Sequence, residues 1–406
     1  MIQNWRKTTV LFLSSQVISL FGSMLVQYAI MWYITLETKS GMMMTISIIC
    51  GFLPTFFLSP FAGVWADRFN RKLLIVISDG LIATSTLVLA ILFFLGYDAI
   101  WLLFLASVIR GLGSAIQSPS VSAVLPQIVP QEKLMRVNAL NGSVQSVINL
   151  ISPIISAALL TIASIEMIFL IDVLTAGVAI LILLFLLKLP KHNKEGLNQP
   201  VNYFSDLSEG YRYIKNHTFI RTFLLFNAIF LILISPLAFL TPLQVTHSFG
   251  DEVWRLTTIE VTFSLGMILG GLVMSVWSGF KNKLHTMLLA NFITSVGTVF
   301  LGIIPSFWPY ISIMFLLGIF LPMFNTPFTV LIQQKVEPEY LGRVFGVLSM
   351  VASIMMPLGM LFFGPLADVI EIEWLLIGTG SLLIILTFSM SRNTALIEAG
   401  KPGVNA

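Results

Sequence analysis

Four ionisable side chains stand inside otherwise apolar runs of this chain: Asp79, Arg110, Asp172 and Glu260. A charge in hydrocarbon is costly, so such residues mark proton relays or substrate contacts and pair with one another or face a wet cavity. An arginine beside a carboxylate favours its charged form, and moving the arginine away lets the acid take up a proton. That chemistry can couple substrate exit to proton entry. Arg110 lies about ten residues in from the outer end of the fourth apolar run and Asp172 about seven in from the outer end of the sixth. Their similar depth makes Asp172, alone or with Glu260, the expected proton carrier and Arg110 its switch. Glu260 is about one turn inside the eighth run, where a place at the polar rim and a substrate contact are both open. Asp79 lies about two turns from the cytoplasmic end of the third run, near enough to the polar stretch before it to act with it.

That stretch reads G-V-W-A-D-R-F-N-R-K from Gly63 to Lys72. So short a connection makes the flanking runs antiparallel neighbours. Gly63 and Asp67, four apart, share a helix face, so another helix can approach at the glycine and end near the carboxylate. Arg68, Arg71 and Lys72 can pair internally or with a helix terminus. A solvated basic turn that only fixes topology explains the three cations but not Gly63 or Asp67.

Other chemistries are absent from the sequence. It has no G-x-x-x-x-G-K-[ST] loop, so the chain itself hydrolyses no ATP, and a separate ATPase subunit is left open. His192, His217, His247 and His285 show no metal-ligand spacing, and no nucleophile elbow is present. No enzyme, metal, cofactor or nucleic-acid partner is expected.

These residues must be positioned by membrane helices. Of 406 residues 57% are apolar and 10% charged, and the mean hydropathy is +0.93, whereas soluble domains carry about 25% charge. Twelve apolar stretches, at roughly 8-36, 43-66, 73-96, 100-124, 137-162, 166-188, 219-245, 257-280, 284-304, 309-331, 345-368 and 374-391, are each long enough to cross about 30 Å of hydrocarbon. The first is too long and lacks the cleavage site of a signal peptide, so it reads as a retained helix. With the N-terminus inside, 19 of the 22 Lys and Arg fall in inner segments; Lys39 and Arg255 lie outside and Arg110 in a span. The cation rule therefore puts both termini in the cytoplasm. The lone Cys50 permits no internal disulfide.

The expected domains are 1-188, a six-helix bundle; 189-218, a cytoplasmic linker; and 219-406, a second bundle. In the linker Phe204, Leu207, Tyr211 and Ile214 recur at helical spacing, as in an amphipathic helix on the membrane surface. The halves look alike. L-M-R-V at Leu134 to Val137 recurs as L-G-R-V at Leu341 to Val344, and the polar loop has an echo, S-V-W-S-G-F-K-N-K, at Ser275 to Lys283. Pro153 and Pro357 fall at similar places in the two halves and are expected to bend their helices.

The spacing G-x-x-x-D-R-x-x-R-K resembles, at every fixed position, the loop signature between helices two and three of the major facilitator superfamily. Over nearly the whole chain the pattern is similar to the superfamily's macrolide efflux branch: G-F-L-P at Gly51 to Pro54, I-D-V-L at Ile171 to Leu174, T-x-I-E at Thr257 to Glu260, G-M-x-x-G-G at Gly266 to Gly271 and E-P-E-Y-L-G-R-V-F at Glu337 to Phe345. The resemblance implies two parallel six-helix repeats in a bacterial inner membrane, and a secondary exporter of bulky, lipophilic, often cationic compounds driven by proton entry. Arg110 resembles the fourth-helix arginine of drug/proton antiporters, but Ser114 replaces the usual glycine. Ser152-Pro153 with Ser156 and Ala157 replaces the fifth-helix G-P signature. Export of a native metabolite such as a siderophore, or a sensor without transport, are the alternatives.

Overall fold

The computed structural model describes residues 5–187, 212–277, 279–337 and 340–401, and all of its regular structure there is helical. The helices are α1 (Trp5–Thr38), α2 (Gly41–Arg68), α3 (Arg71–Phe94), α4 (Ile100–Ile128), α5 (Gln131–Ile162) and α6 (Ile165–Leu181), which ends in a π-turn over Ile182–Leu186. After the linker come α7 (Thr218–Phe239, extended by Thr241–Ser248), α8 (Val253–Trp277), α9 (Lys283–Leu301), α10 (Phe307–Lys335), α11 (Leu341–Leu366), α12 (Ile372–Arg392) and a short α13 (Thr394–Ala399). Twelve are long and apolar enough to span a membrane. Phe185 and Val276, 76% and 88% exposed, show apolar outer faces that only lipid would cover.

Asn70 and Asn282 start α3 and α9 as side-chain caps, accepting from the backbone N–H of Leu73 and Leu284 and so meeting a donor that the first turn leaves free. Prolines 119, 126, 153, 236, 322, 327, 357 and 365 all lie inside helices, and α4 runs through two of them to Ile128.

The chain divides into two compact units: residues 1–34 with 46–201, and residues 35–45 with 202–406. In the first, α3 packs on α4 and α6 around a core that includes Leu25, Leu103, Ile168 and the edge-on pair Phe93 and Phe169. In the second, α8 and α9 pack on α10, and α7 packs on α11 and α12. The α8–α10 crossing is close: a methyl at Gly266 or Gly270 would strike the carbonyl of Phe315 or Ile319, and one at Gly318 the carbonyl of Phe263. Small residues that let backbones approach are how helices associate without a hydrophobic drive between them. The short α13 is fastened too. Asn282 donates to the Ile397 carbonyl at 3.1 Å and the Lys283 N–H to the Gly400 carbonyl at 3.1 Å, which locks α13 to the start of α9.

The side chains of Gly63, Asp67 and Arg68 lie outside the described residues, as do those of Arg136 and Arg343. So does most of the amphipathic linker, including Phe204, Leu207 and Tyr211; Ile214 is described and buried.

Candidate functional site

Asp172, the eighth residue of α6, is fully buried, and Arg110 of α4 reaches it with Nη1 2.6 Å from Oδ2. Four helices build the contact. Arg110 Nη1 also donates to the Thr86 hydroxyl of α3 at 2.7 Å, and Nη2 to the Ser23 carbonyl of α1 at 2.9 Å. The Ser23 hydroxyl donates to Asp172 Oδ1 at 3.2 Å, and the Thr86 hydroxyl lies 3.0 Å from Oδ2. Gly22 is what allows α1 so near, because a methyl there would meet the Thr175 hydroxyl and Asp172 itself. A buried pair so held is stable only while intact. Removing one partner of such a pair costs about 3–5 kcal/mol, since the other charge is left uncompensated.

Asp79 of α3, 1% exposed, belongs to the same interior. Its Oδ1 accepts from the Ser19 hydroxyl of α1 at 3.0 Å and from Gln117 Nε2 of α4; its Oδ2 has no partner among the described residues. Among the described residues its hydrogen bonds go into the bundle, to α1 and α4. Two of the loop cations, Arg71 and Lys72, hold helix ends. Arg71 donates to the Ala66 carbonyl at 2.7 Å and the Ala123 carbonyl at 2.8 Å, tying α2 to α4. Lys72 Nζ donates to the Leu184 and Leu187 carbonyls, at 3.1 and 2.8 Å, where α6 unwinds. A cation at a helix C-terminus meets its free carbonyls and complements its dipole.

Ser19, Ser23, Thr86 and Gln117 were not singled out from sequence. Their spacing is the available signal: Ser19 and Ser23 are four apart, Asp79 and Thr86 seven, Arg110 and Gln117 seven, so each set lies on one helix face.

The second unit holds a cavity of about 660 Å³ between α7, α8, α9, α10 and α11. Phe230, Phe263, Phe320, Phe324 and Phe328 dominate its wall, with Phe230 stacked on Phe324 at 5.5 Å between ring centres. Glu260 faces into it, half-buried, with no side-chain hydrogen bond or ion pair among the described residues. It is two turns inside α8 rather than one. The helix starts a turn before the apolar run because Arg255 Nε pairs with Glu252 at 2.8 Å and its guanidinium lies 5.1 and 5.3 Å from the Trp254 and Phe307 ring centres. Such pairing lets a cation sit at the start of a membrane helix.

The sequence profile of the Major Facilitator Superfamily matches residues 12–360 and, a second time, 237–397. Macrolide efflux protein A of Streptococcus pyogenes is 28% identical over 383 residues, 94% of each chain. The Staphyloferrin A transporter of Staphylococcus aureus is 25% identical, covering 94% of this chain and 95% of its own. Among solved structures, a nucleoside transporter superposes with a TM-score of 0.72 at 15% identity, over 94% of this chain and 98% of its own. A family match over most of the chain, twelve spanning helices and this fold agree: the protein belongs to the Major Facilitator Superfamily and is a multi-pass membrane transporter, not an enzyme.

Proposed function

We propose that the protein exports lipophilic cationic compounds of the macrolide class from a bacterial cell, across the plasma membrane, in exchange for protons, with both termini in the cytoplasm. The observation that carries this reading is the cavity of the second unit, whose wall is mainly phenylalanine, leucine and methionine with one unpaired acid, Glu260. An aromatic, adaptable wall binds bulky apolar bodies of varied shape, and a lone carboxylate in a poorly hydrated site selects a cation. The kinship with Macrolide efflux protein A points the same way. Proton exchange is supported by Arg110 and Asp172: an ion pair inside a membrane bundle is a device whose proton affinity changes when its partner moves.

A second reading, export of a native metabolite such as a siderophore, draws on the kinship with the Staphyloferrin A transporter. The cavity disfavours an anionic metabolite, because the described wall offers no Lys or Arg to meet its charge.

The test is expression in an efflux-deficient bacterial host, with everted vesicles prepared from the same cells. Raised resistance to macrolides, and erythromycin uptake by the vesicles that collapses with an uncoupler, are the expected results. Wild-type susceptibility to macrolides together with gradient-driven flux of an anionic metabolite would move the substrate to the second reading. Ligand binding with no flux at all would make the chain a sensor.

A further inference from the structure

We propose that Asp79 is a second proton site of the first unit, separate from the Arg110–Asp172 pair, and that in this structure it is the neutral acid with its proton on Oδ2. The two acids occupy one buried polar seam. Ser19 and Ser23, one turn apart on α1, each serve one of them, and α3 supplies Asp79 and, two turns on, Thr86. Arg110 and Gln117, two turns apart on α4, likewise serve Asp172 and Asp79. The acids differ in what faces them. Asp172 has a guanidinium at 2.6 Å and hydroxyl neighbours for both oxygens. Among the described residues Asp79 has only neutral donors, both on Oδ1, and its Oδ2 is closed off from solvent without a partner.

Among the described side chains of α1, α3, α4 and α6, none is placed to neutralise Asp79. On α1 the charged residues are Arg6, Lys7 and Glu37, at its two ends; on α4 there is Arg110 alone, already bonded to Asp172. On α6 they are Glu166, in the first turn, and Asp172. On α3 itself Arg71 and Lys72, in the first turn, donate to backbone carbonyls. An anionic carboxylate accepts at both oxygens. Burying it with one oxygen bare and no cation is far more costly than burying a neutral acid that leaves one O–H bond unmade. Ser78, the preceding residue and also fully buried, has an unpartnered hydroxyl as well, so this turn of α3 carries two unmet polar groups. Release breaks the Oδ2–H bond, leaves the electron pair on the carboxylate and passes the proton to water admitted when the bundle rearranges.

The use of this proton in transport rests on the exchange reading above; its presence on Asp79 does not. The experiment is infrared spectroscopy of the purified full-length protein in detergent at neutral pH, following the C=O stretch of protonated carboxylic acids. It is run in a Glu260→Gln background so that the cavity acid does not contribute. A band that disappears in Asp79→Asn and persists in Asp172→Asn is expected. Ser19→Ala and Gln117→Leu each remove a hydrogen bond to Oδ1 and should shift its frequency, which keeps the test decisive if Asp79→Asn fails to fold. Absence of the band, its survival in Asp79→Asn, or its indifference to both Oδ1 variants overturns the proposal. A band assigned to Asp79 in a protein that moves no macrolide would leave this site standing and remove the efflux reading. Macrolide flux without the band would do the reverse.

Discussion

At the ninth residue of α3 the first unit carries Asp79, and at the ninth residue of α9 the second carries Asn291. The eleventh and eighteenth residues of α4 are Arg110 and Gln117; those of α10 are Leu317 and Phe324. The eighth residue of α6 is Asp172 and that of α12 is Thr379. Position for position, the charged seam of one unit is replaced in the other by neutral groups, and Asn291, Leu317 and Phe324 line the cavity. The same helix plan thus yields two interiors. In the first unit buried polar groups bond across the interior, with a charged pair among them, and in the second the interior opens to a cavity faced by one acid. Under the proposed function the first unit is the coupling half and the second the binding half.

The largest effect should come from importing second-unit residues into the seam. Arg110→Leu alone leaves Asp172 as a buried, unpaired charge and is expected to lower stability by about 3–5 kcal/mol. Arg110→Leu with Asp172→Thr removes both charges and should recover at least half of that loss, since apolar replacements of buried ion pairs are often neutral or stabilising. Thermal unfolding in detergent reads this directly. Gradient-driven flux should be absent from both variants. A double variant as unstable as the single one would mean that shape, not charge, separates the two units.

Next in size is a feature the units share. Gly111 and Gly318 are each the twelfth residue of their helices, and a methyl on either would strike a backbone carbonyl, that of Gly51 in α2 or of Phe263 in α8. Gly111→Ala and Gly318→Ala should each cost about 1–3 kcal/mol of overpacking. Gly271→Ala, with open space around it, should be neutral or raise stability by up to about 1 kcal/mol through helix propensity. Unequal costs at the two matched glycines, seen in the melting temperatures, would limit the likeness to the backbone plan.

A smaller and more selective effect is expected in the cavity. Glu260→Gln removes a charge-assisted contact of about 1.5–3 kcal/mol, so a cationic lipophile should bind about tenfold or more weakly. A neutral one of the same bulk should be almost unaffected. Equilibrium binding of a cationic dye and a neutral analogue separates these outcomes, and equal losses for both would make Glu260 a structural group.

How far the sequence reaches is clear from the same residues. Hydropathy resolves the twelve helices because backbone groups in lipid must be satisfied within the segment. It places Arg110 and Asp172 at one depth, yet whether they touch depends on how each helix is rotated, which composition does not encode. Ser19, Ser23 and Thr86 escape notice because hydroxyls in membrane helices usually bond back to their own turn, as Thr55, Ser107 and Ser120 do here. Gln117 escapes because a lone amide in an apolar run has no periodic partner of its own type. The depth of Glu260 is misread because apolarity alone cannot show that Arg255, once paired, continues the helix outward.

The smallest effect concerns the exposed ion pair of the second unit, the converse of the buried one in the first. Lys39 Nζ lies 2.8 Å from Asp251 Oδ2, with side chains 46% and 60% exposed. The hydrogen bond from Lys39 holds the Asp251 carboxyl below its ordinary range. A lowered folded-state pKa contributes stability above the unfolded value, so the pair acts fully at neutral pH and fades as pH falls below about 4. Water and salt also screen it, over a Debye length of about 3 Å at 1 M. Asp251→Asn should therefore lower the melting temperature at pH 7 by less than the seam variants, Gly111→Ala or Gly318→Ala, and the difference from wild type should vanish in about 1 M salt. Arg110→Leu should lose nearly as much in high salt as in low, because its pair is closed off from solvent. If the Asp251→Asn difference survived high salt, the pair would be as sheltered as the seam, and exposure would no longer divide the two.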